Sequence, residues 1–422
     1  MNLNPNFSIP TDTIFTIKVA PAKIGIGATL ELGFELKRKD AKKILIVTDK
    51  VISEKTDICQ RVVDIIKSNG LKVDVWNGVE PEPSRQSMER GINYAKREKY
   101  DAFVALGGGS SIDTAKVINL YTTRPTEDFF DYIAPPTGKG KEIPGTLKPL
   151  IAVPTTSGTG SETTSVAVID LPEHKLKVGI SHEYLLPTLA IIDPLNTTTM
   201  PPNVTANTGM DALMHAIEAY TCKPYNTRPK PGSPAERPVY TGSNPITDAF
   251  AEKAIELIGK YLRKAVYNGH DIKARTNMAI AAYMAGIAFG NAGVHISHAI
   301  ALAIGGKKKL PHGLCASITA PALLKFLAPI MPEKLTRIAE LLGENTKNLS
   351  IQEAAYKASE AVKRLMKDIG FPNGLKDLGF SENDIPELAD KTLRLKRLLA
   401  QSPRTVTKNL MEEVLRESLK YW

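Results

Sequence analysis

An α/β domain followed by an all-α one is what this sequence predicts, on three observations. Up to about residue 200, short β-branched and apolar runs alternate with helical periodicities, the pattern of a mostly parallel sheet with helices on both faces. From about residue 202 the β-branched runs thin out and helical periodicity continues to Trp422. The length, 422 residues, exceeds what one small core organises, so two domains are expected, 1–200 and 201–422.

The elements follow in order. Phe15-Thr16-Ile17-Lys18-Val19 alternates like an edge strand. Residues 42–49 (KKILIVTD) read as a buried strand ending in an acid, and residues 57–69 as a helix closed by Gly70. Residues 71–76 form the next strand and 84–96 the next helix. A third strand, 101–106, runs into GGGSSID (107–113) and a helix over 112–120. Residues 150–153 start a strand that leads to the loop PTTSGTGSE (154–162). Residues 166–169 and 175–180 pair as a hairpin, and 189–194 end the β-rich half. In the helical half, residues 223–245 carry six prolines together with Lys223, Arg228, Lys230 and Arg237, so they make either a lid or a surface excursion.

Composition narrows the function. Hydrophobic residues make up 42% and charged residues 23%, ordinary for a globular enzyme. The net charge of +9 is not gathered into a basic arm interleaved with aromatics, and Lys307-Lys308-Lys309 is the only triple, so no nucleic-acid partner is expected. No apolar run approaches the roughly 18 residues of a membrane span, and no membrane partner is expected. Cys59, Cys222 and Cys315 show no Cys-x-x-Cys pairing, which fits a reducing compartment. The polar start, residues 1–10, lacks a signal-peptide layout, and a cytoplasmic location is expected.

Gly107-Gly108-Gly109-Ser110 stands where a buried strand meets a helix. Glycines there let backbone N–H groups approach an anion, and the helix N-terminus favours negative charge: a pyrophosphate site, or else a tight strand-to-helix turn with no ligand, and not G-x-G-x-x-G, since Ile112 takes the last glycine position. The loop at 155–161 offers a second set of donors. Asp49 lies where an acid accepts from a ribose hydroxyl and favours NAD over NADP; the same position suits a helix N-cap. Asp113, in the first turn of its helix, is a further cofactor candidate or a complement to the helix dipole.

Asp211 and His215 are four apart among helix formers, which puts both on one face and makes half of a divalent-metal site. Of seven histidines, His298, on a small-residue helix, and His312, in LPHG (310–313), are the candidates for the other half, with His295 an alternative.

These motifs resemble the iron-containing (group III) alcohol dehydrogenases: GGGSSID, PTTSGTGSE, GMDALMHAIEAY (209–220), the His298 segment and LPHG, in order from about residue 12 to the end. The resemblance implies a dehydroquinate-synthase-like fold, with a Rossmann-like nucleotide-binding domain, a helical metal-binding domain, and cofactor and metal between them. It carries metal ligation onto Asp211, His215, His298 and His312. It carries cofactor contacts onto Asp49, Gly108, Gly109, Ser110, Thr155, Thr156, Thr159 and Lys177, although Lys177 also suits a solvated strand. GNAGVHISHA (290–299), RPVYTGSNPITD (237–248) and the proline-rich excursion look most like the hydroxyacid–oxoacid transhydrogenase subgroup. Two departures stand out. Leu302 replaces the second histidine that many members carry four residues after the ligand, and the segment from Gly305 to Pro311 is shorter than in the subgroup.

The expected chemistry is hydride transfer between a primary alcohol, aldehyde or hydroxyacid and NAD, with Fe²⁺, or Zn²⁺ in its place, as Lewis acid. The family also implies a homo-oligomer, a dimer. The basic residues of 223–245 either pair with a substrate carboxylate or face solvent. Two rivals keep the same residues: a transhydrogenase with tightly held NAD(H), and a non-catalytic nucleotide-binding protein. A lyase of the dehydroquinate-synthase type would need phosphate-binding basic residues around the metal, and none is evident.

Overall fold

The computed structural model describes residues 11–172 and 176–422. Eight strands appear in chain order: β1 (Ala22–Ile24), β2 (Lys43–Asp49), β3 (Lys72–Val79), β4 (Ala102–Gly107), β5 (Leu150–Pro154), β6 (Val166–Leu171), β7 (Leu176–Ser181) and β8 (Leu189–Ile192). Six form one parallel sheet in the order β1-β8-β5-β4-β2-β3, and β6 and β7 pair antiparallel. Between them run α1 (Leu32–Lys37), α2 (Lys50–Glu54), α3 (Ile58–Ser68), α4 (Arg85–Ala95) and α5 (Gly109–Thr123).

The sheet is buried on both faces because its strands are apolar throughout. Leu45, Val47, Phe103 and Ala105 fill one core, while Ile44, Ile46, Val104 and Leu106 fill the opposite one. The chain leaves β2 toward β3 on one side and returns to β4 on the other, so the switch point lies between the ends of β2 and β4, where Asp49 and Gly107 stand.

The second half is helical: α6 (Pro202–Thr221), α7 (Pro245–Tyr267), α8 (Ile272–Ala292), α9 (Ile296–Gly305), α10 (His312–Ser317), α11 (Ala320–Leu327), α12 (Pro332–Leu341), α13 (Ile351–Asp368), α14 (Ile385–Leu393), α15 (Lys396–Leu399) and α16 (Lys408–Glu417). They share a core of their own that runs from Ala206 to Leu419. Among the described residues no single helix is long and apolar enough to cross a membrane.

The edge strand expected at residues 15–19 is absent. Asn291 on α8 satisfies that backbone instead, accepting from Lys18 N at 2.7 Å and donating to Lys18 O at 2.9 Å, and the edge place goes to β1 beside β8. α2, unforeseen, starts because Asp49 Oδ1 accepts from Val51 N (2.8 Å) and Ile52 N (3.0 Å), an N-cap. The hairpin is present from Leu176; Lys175 and the polar start at residues 1–10 lie outside the described residues. The three cysteines are free and buried.

Candidate active site

The glycine turn and the Thr/Ser/Gly loop meet because β4 and β5 are neighbours. Gly107 pairs with Pro154, and Thr155 N donates to Gly107 O at 3.0 Å. Gly107 takes φ 148°, and a side chain there would lie 2.3 Å from Ser111 Oγ. A Cβ on Gly109 would come within 2.8 Å of Thr159. Gly108, Gly109, Ser110, Thr156 and Thr159 are half-buried around this opening at the start of α5, whereas Thr155 is buried. Asp49 spends Oδ1 on capping α2, and its Oδ2 lies 3.4 Å from where a Cβ on Gly107 would stand. The cap reading of Asp49 therefore holds, and its second oxygen still faces the turn.

Asp113 points elsewhere. Its Oδ2 accepts from Val168 N at 3.0 Å, and Oδ1 is 3.7 Å from the buried Lys116 ammonium. Burial pushes its pKa up against the pull of Lys116. Lys116 in turn donates to Ser161 O (2.7 Å), Thr164 O (2.9 Å) and Val166 O (2.8 Å), pinning the far end of the loop, and burial lowers its pKa to about 8. Lys177 pairs with Glu82, whose φ is 53°.

The same loop reaches the histidines. At Gly158 a Cβ would sit 2.6 Å from Thr208 Cβ on α6, one turn before Asp211. Gly160 packs its backbone on that of Gly286 in α8. α10 approaches α6 as closely: a Cβ on Gly313 would meet Asn207 O at 2.3 Å, which is why a glycine follows His312.

Asp211, His298 and His312 each bring one ligand atom within 4.8 Å of the other two. His215 stands beside them. Its ring stacks on His298 with centroids 4.6 Å apart and on Phe289 at 4.0 Å. Asp211 Oδ1, His215 Nδ1 and His298 Nε2 are buried with no hydrogen-bond partner. Burial raises the Asp211 pKa to about 6, against the opposing charge of His298. Burial, then His298 and His312, lower His215 well below its ordinary value; burial, then the Lys177 ammonium and His298, do the same to His312. Orphaned lone pairs on neutral imidazoles beside a carboxylate are a donor set that a divalent cation satisfies.

Burial also opposes a charge on His298, but Glu218, by charge and hydrogen bond, outweighs it and raises the pKa. The Glu218 carboxylate is wholly buried. It bonds His298 Nδ1, accepts from Ser297 N (2.7 Å) and His298 N (3.3 Å), and lies 3.2 Å from His295 Nδ1. That fixes the tautomer of His298 with Nε2 toward Asp211, 3.8 Å away. His295 Nε2 lies 3.0 Å from Thr221 Oγ1 and its Nδ1 3.2 Å from Glu218 without a hydrogen bond, and this alternative ligand stands outside the converging group. Glu218 and Phe289 had not been singled out from the sequence, yet Asp211, His215 and Glu218 follow i, i+4, i+7 on one helical face.

The two arginines of the excursion have partners within the chain. Arg237 makes two bonds to Asp12 (2.9 and 3.2 Å), and Arg228 donates to Tyr240 O at 3.1 Å. Arg237 is thus held by a carboxylate of the chain itself, while Arg228 Nε is buried with no hydrogen-bond partner.

Two family patterns match the chain: iron-containing alcohol dehydrogenase over residues 21–194, and the C-terminal part of the Fe-containing alcohol dehydrogenase family over residues 235–419. The mitochondrial hydroxyacid–oxoacid transhydrogenases of Bos taurus and Homo sapiens are each 41% identical over 98% of this chain and 91% of their own length. A 1,3-propanediol oxidoreductase structure superposes with a TM-score of 0.87 at 35% identity, covering 96% of this chain and all of that one. Sulfoacetaldehyde reductase from Bifidobacterium kashiwanohense, in complex with NAD⁺, superposes at 0.83 with 26% identity, covering 96% and 99%. The mitochondrial names of these relatives overturn the cytoplasmic expectation. A signal-peptide pattern bears on secretion and does not separate cytoplasm from organelle.

Proposed function

The chain belongs to the iron-containing alcohol dehydrogenase family, and from that premise we propose how its own residues carry out the oxidoreductase chemistry of an alcohol dehydrogenase. Asp211, His215, His298 and His312 hold a divalent metal, Fe²⁺ in preference to Zn²⁺. The reading rests on one observation above all: three ligating atoms converge within 4.8 Å beside a loop that also faces the glycine turn. The domain boundary falls at residues 200/201, and the protein works as a dimer.

The start of α5 and the N–H groups of the glycine turn hold the pyrophosphate of NAD, with Thr155, Thr156 and Thr159 opposite. Asp49 Oδ2 accepts from a ribose hydroxyl and repels the extra phosphate of NADP. Asp113, bonded to Val168 N, positions β6 against α5, and Lys177 on β7, paired with Glu82, would add positive charge on the cofactor side. Glu218 orients His298, and the neutral His215 and His312 present lone pairs. When bound, the metal supplies Lewis acidity to the substrate oxygen and the nicotinamide supplies the hydride acceptor. With NAD⁺ bound, oxidation of an alcohol would yield NADH and one proton, for which solvent is the acceptor. Leu302 carries no proton, so α9 contributes no relay one turn beyond His298.

Elemental analysis of anaerobically purified protein, paired with rates on NAD⁺ and NADP⁺, tests the assignment. Stoichiometric iron and a preference for NAD⁺ are expected; metal-free protein that turns over alcohols equally well would overturn it. The second reading, transhydrogenation with held NAD(H), is supported by the relatives at 41% identity. It predicts cofactor that co-purifies and a hydroxyacid/oxoacid pair that turns over without added NAD⁺. Substrates are accordingly primary alcohols, aldehydes and hydroxyacids.

A further inference from the structure

Arg397 lies on α15, a four-residue helix that packs against α9, the helix carrying His298. Its guanidinium stands over the ring of Tyr240, 5.8 Å from the centroid. Among the described residues it has neither a carboxylate within ion-pair distance nor a hydrogen-bond acceptor, and it is exposed. Its basic neighbours differ: Arg237 is held by Asp12, Arg228 by the Tyr240 backbone and Lys177 by Glu82.

Tyr240 gives the guanidinium its place. The backbone beside it is laced to the end of α8, with Thr241 N donating to Asn291 O at 2.8 Å and Gly242 N to Ala292 O at 3.1 Å. Gly293, at φ 100°, admits the tyrosine: a side chain there would meet Tyr240 Cβ at 3.2 Å. That turn is five residues before His298 and four after Phe289, the ring stacked on His215. Burial holds the proton on the Tyr240 phenol against the pull of the Arg397 charge, with Asp113 on α5 adding to the hold. Tyr240 therefore stands against the metal-side turn, with an unpaired guanidinium on its face.

We propose that Arg397, seated on Tyr240, binds the carboxylate of a hydroxyacid or oxoacid substrate and so sets the enzyme's preference for acids over plain alcohols. The inference rests on the oxidoreductase reading above. A planar guanidinium takes a carboxylate through two parallel hydrogen bonds, and an aromatic face beneath it holds the fork without competing for its donors.

The test compares 4-hydroxybutyrate with 1,4-butanediol, which matches it in length and lacks the charge, on metal-loaded wild type, Arg397→Leu and Arg397→Lys. Each is assayed with added NAD⁺ and, separately, with an oxoacid acceptor. Arg397→Leu is expected to raise KM for the acid at least about 10-fold while KM and kcat for the diol stay within about twofold. Butyrate, which cannot react, should bind at least about 10-fold more weakly by calorimetry, and Arg397→Lys should restore part of both losses. Equal effects on acid and diol, or unchanged butyrate binding, overturn the proposal. If wild type oxidises the diol but not the acid, the anchor is wrong and the oxidoreductase reading stands; if it oxidises neither under either regime, both fall.

Discussion

Replacing Glu218 by glutamine keeps the volume and removes one acceptor, and the surroundings leave the amide no good orientation. Both carboxylate oxygens face donors: Ser297 N on one side, His298 Nδ1 and N on the other. If the new NH₂ turns to His298, the imidazole must carry its proton on Nε2, the atom that faces Asp211, and cannot ligate. If the NH₂ turns the other way, it opposes the Ser297 N–H now bonded at 2.7 Å. Loss of such an outer partner weakens metal affinity by roughly 10- to 100-fold, about 1.4–2.7 kcal/mol. A buried donor left unpaired costs about 1–3 kcal/mol of metal-free stability. Chelator competition with Zn²⁺, the absorption spectrum of the Co²⁺ form and thermal melting of the metal-free protein read these separately. Glu218→Gln that melts as wild type does and binds Zn²⁺ within twofold of it would refute the orientation argument.

Gly109→Ala should fold and weaken NADH binding by about 10-fold or more in a fluorescence titration, since its Cβ would meet Thr159 at 2.8 Å across the cradle. Asp211→Asn should abolish turnover and metal uptake while raising the melting temperature of the metal-free protein near neutral pH, because a buried carboxylate whose Oδ1 has no hydrogen-bond partner is removed. Glu162, buried, has its pKa raised to about 7 from 4.5. Protonation therefore favours the fold: the contribution is full below about 4.5 and lost as pH rises through 7, about 3 kcal/mol in all. Melting curves from pH 5 to 8 should show wild type falling relative to Glu162→Gln; parallel profiles would contradict the assignment.

Strand runs and glycine turns were legible because they are local. KKILIVTD and DAFVAL bury both faces and could only be central strands. Residues 15–19 misled because alternation signals a half-buried backbone without naming its partner, here the Asn291 amide rather than a strand. In the site, Asp211, His215, His298 and His312 were readable from residue type and spacing. Their inequality was not: which three converge and which one stacks depends on the angle between α6, α9 and α10. Glu218 was within reach, since helical phase alone puts it on the ligand face. The arginines of residues 223–245 were beyond reach, because Asp12 lies 225 residues from Arg237 and no local rule pairs them.

The segment between β5 and β6 rests simultaneously on the glycine turn, on α6 at Thr208 and on α8 at Gly286. A dinucleotide that stiffened it would stiffen its seat on α6 as well, and occupancy at one station would then change affinity at the other. Thermodynamics makes the exchange symmetric: whatever factor NAD⁺ confers on the cation, the cation confers on NAD⁺. Depletion of either ligand would then loosen the grip on both.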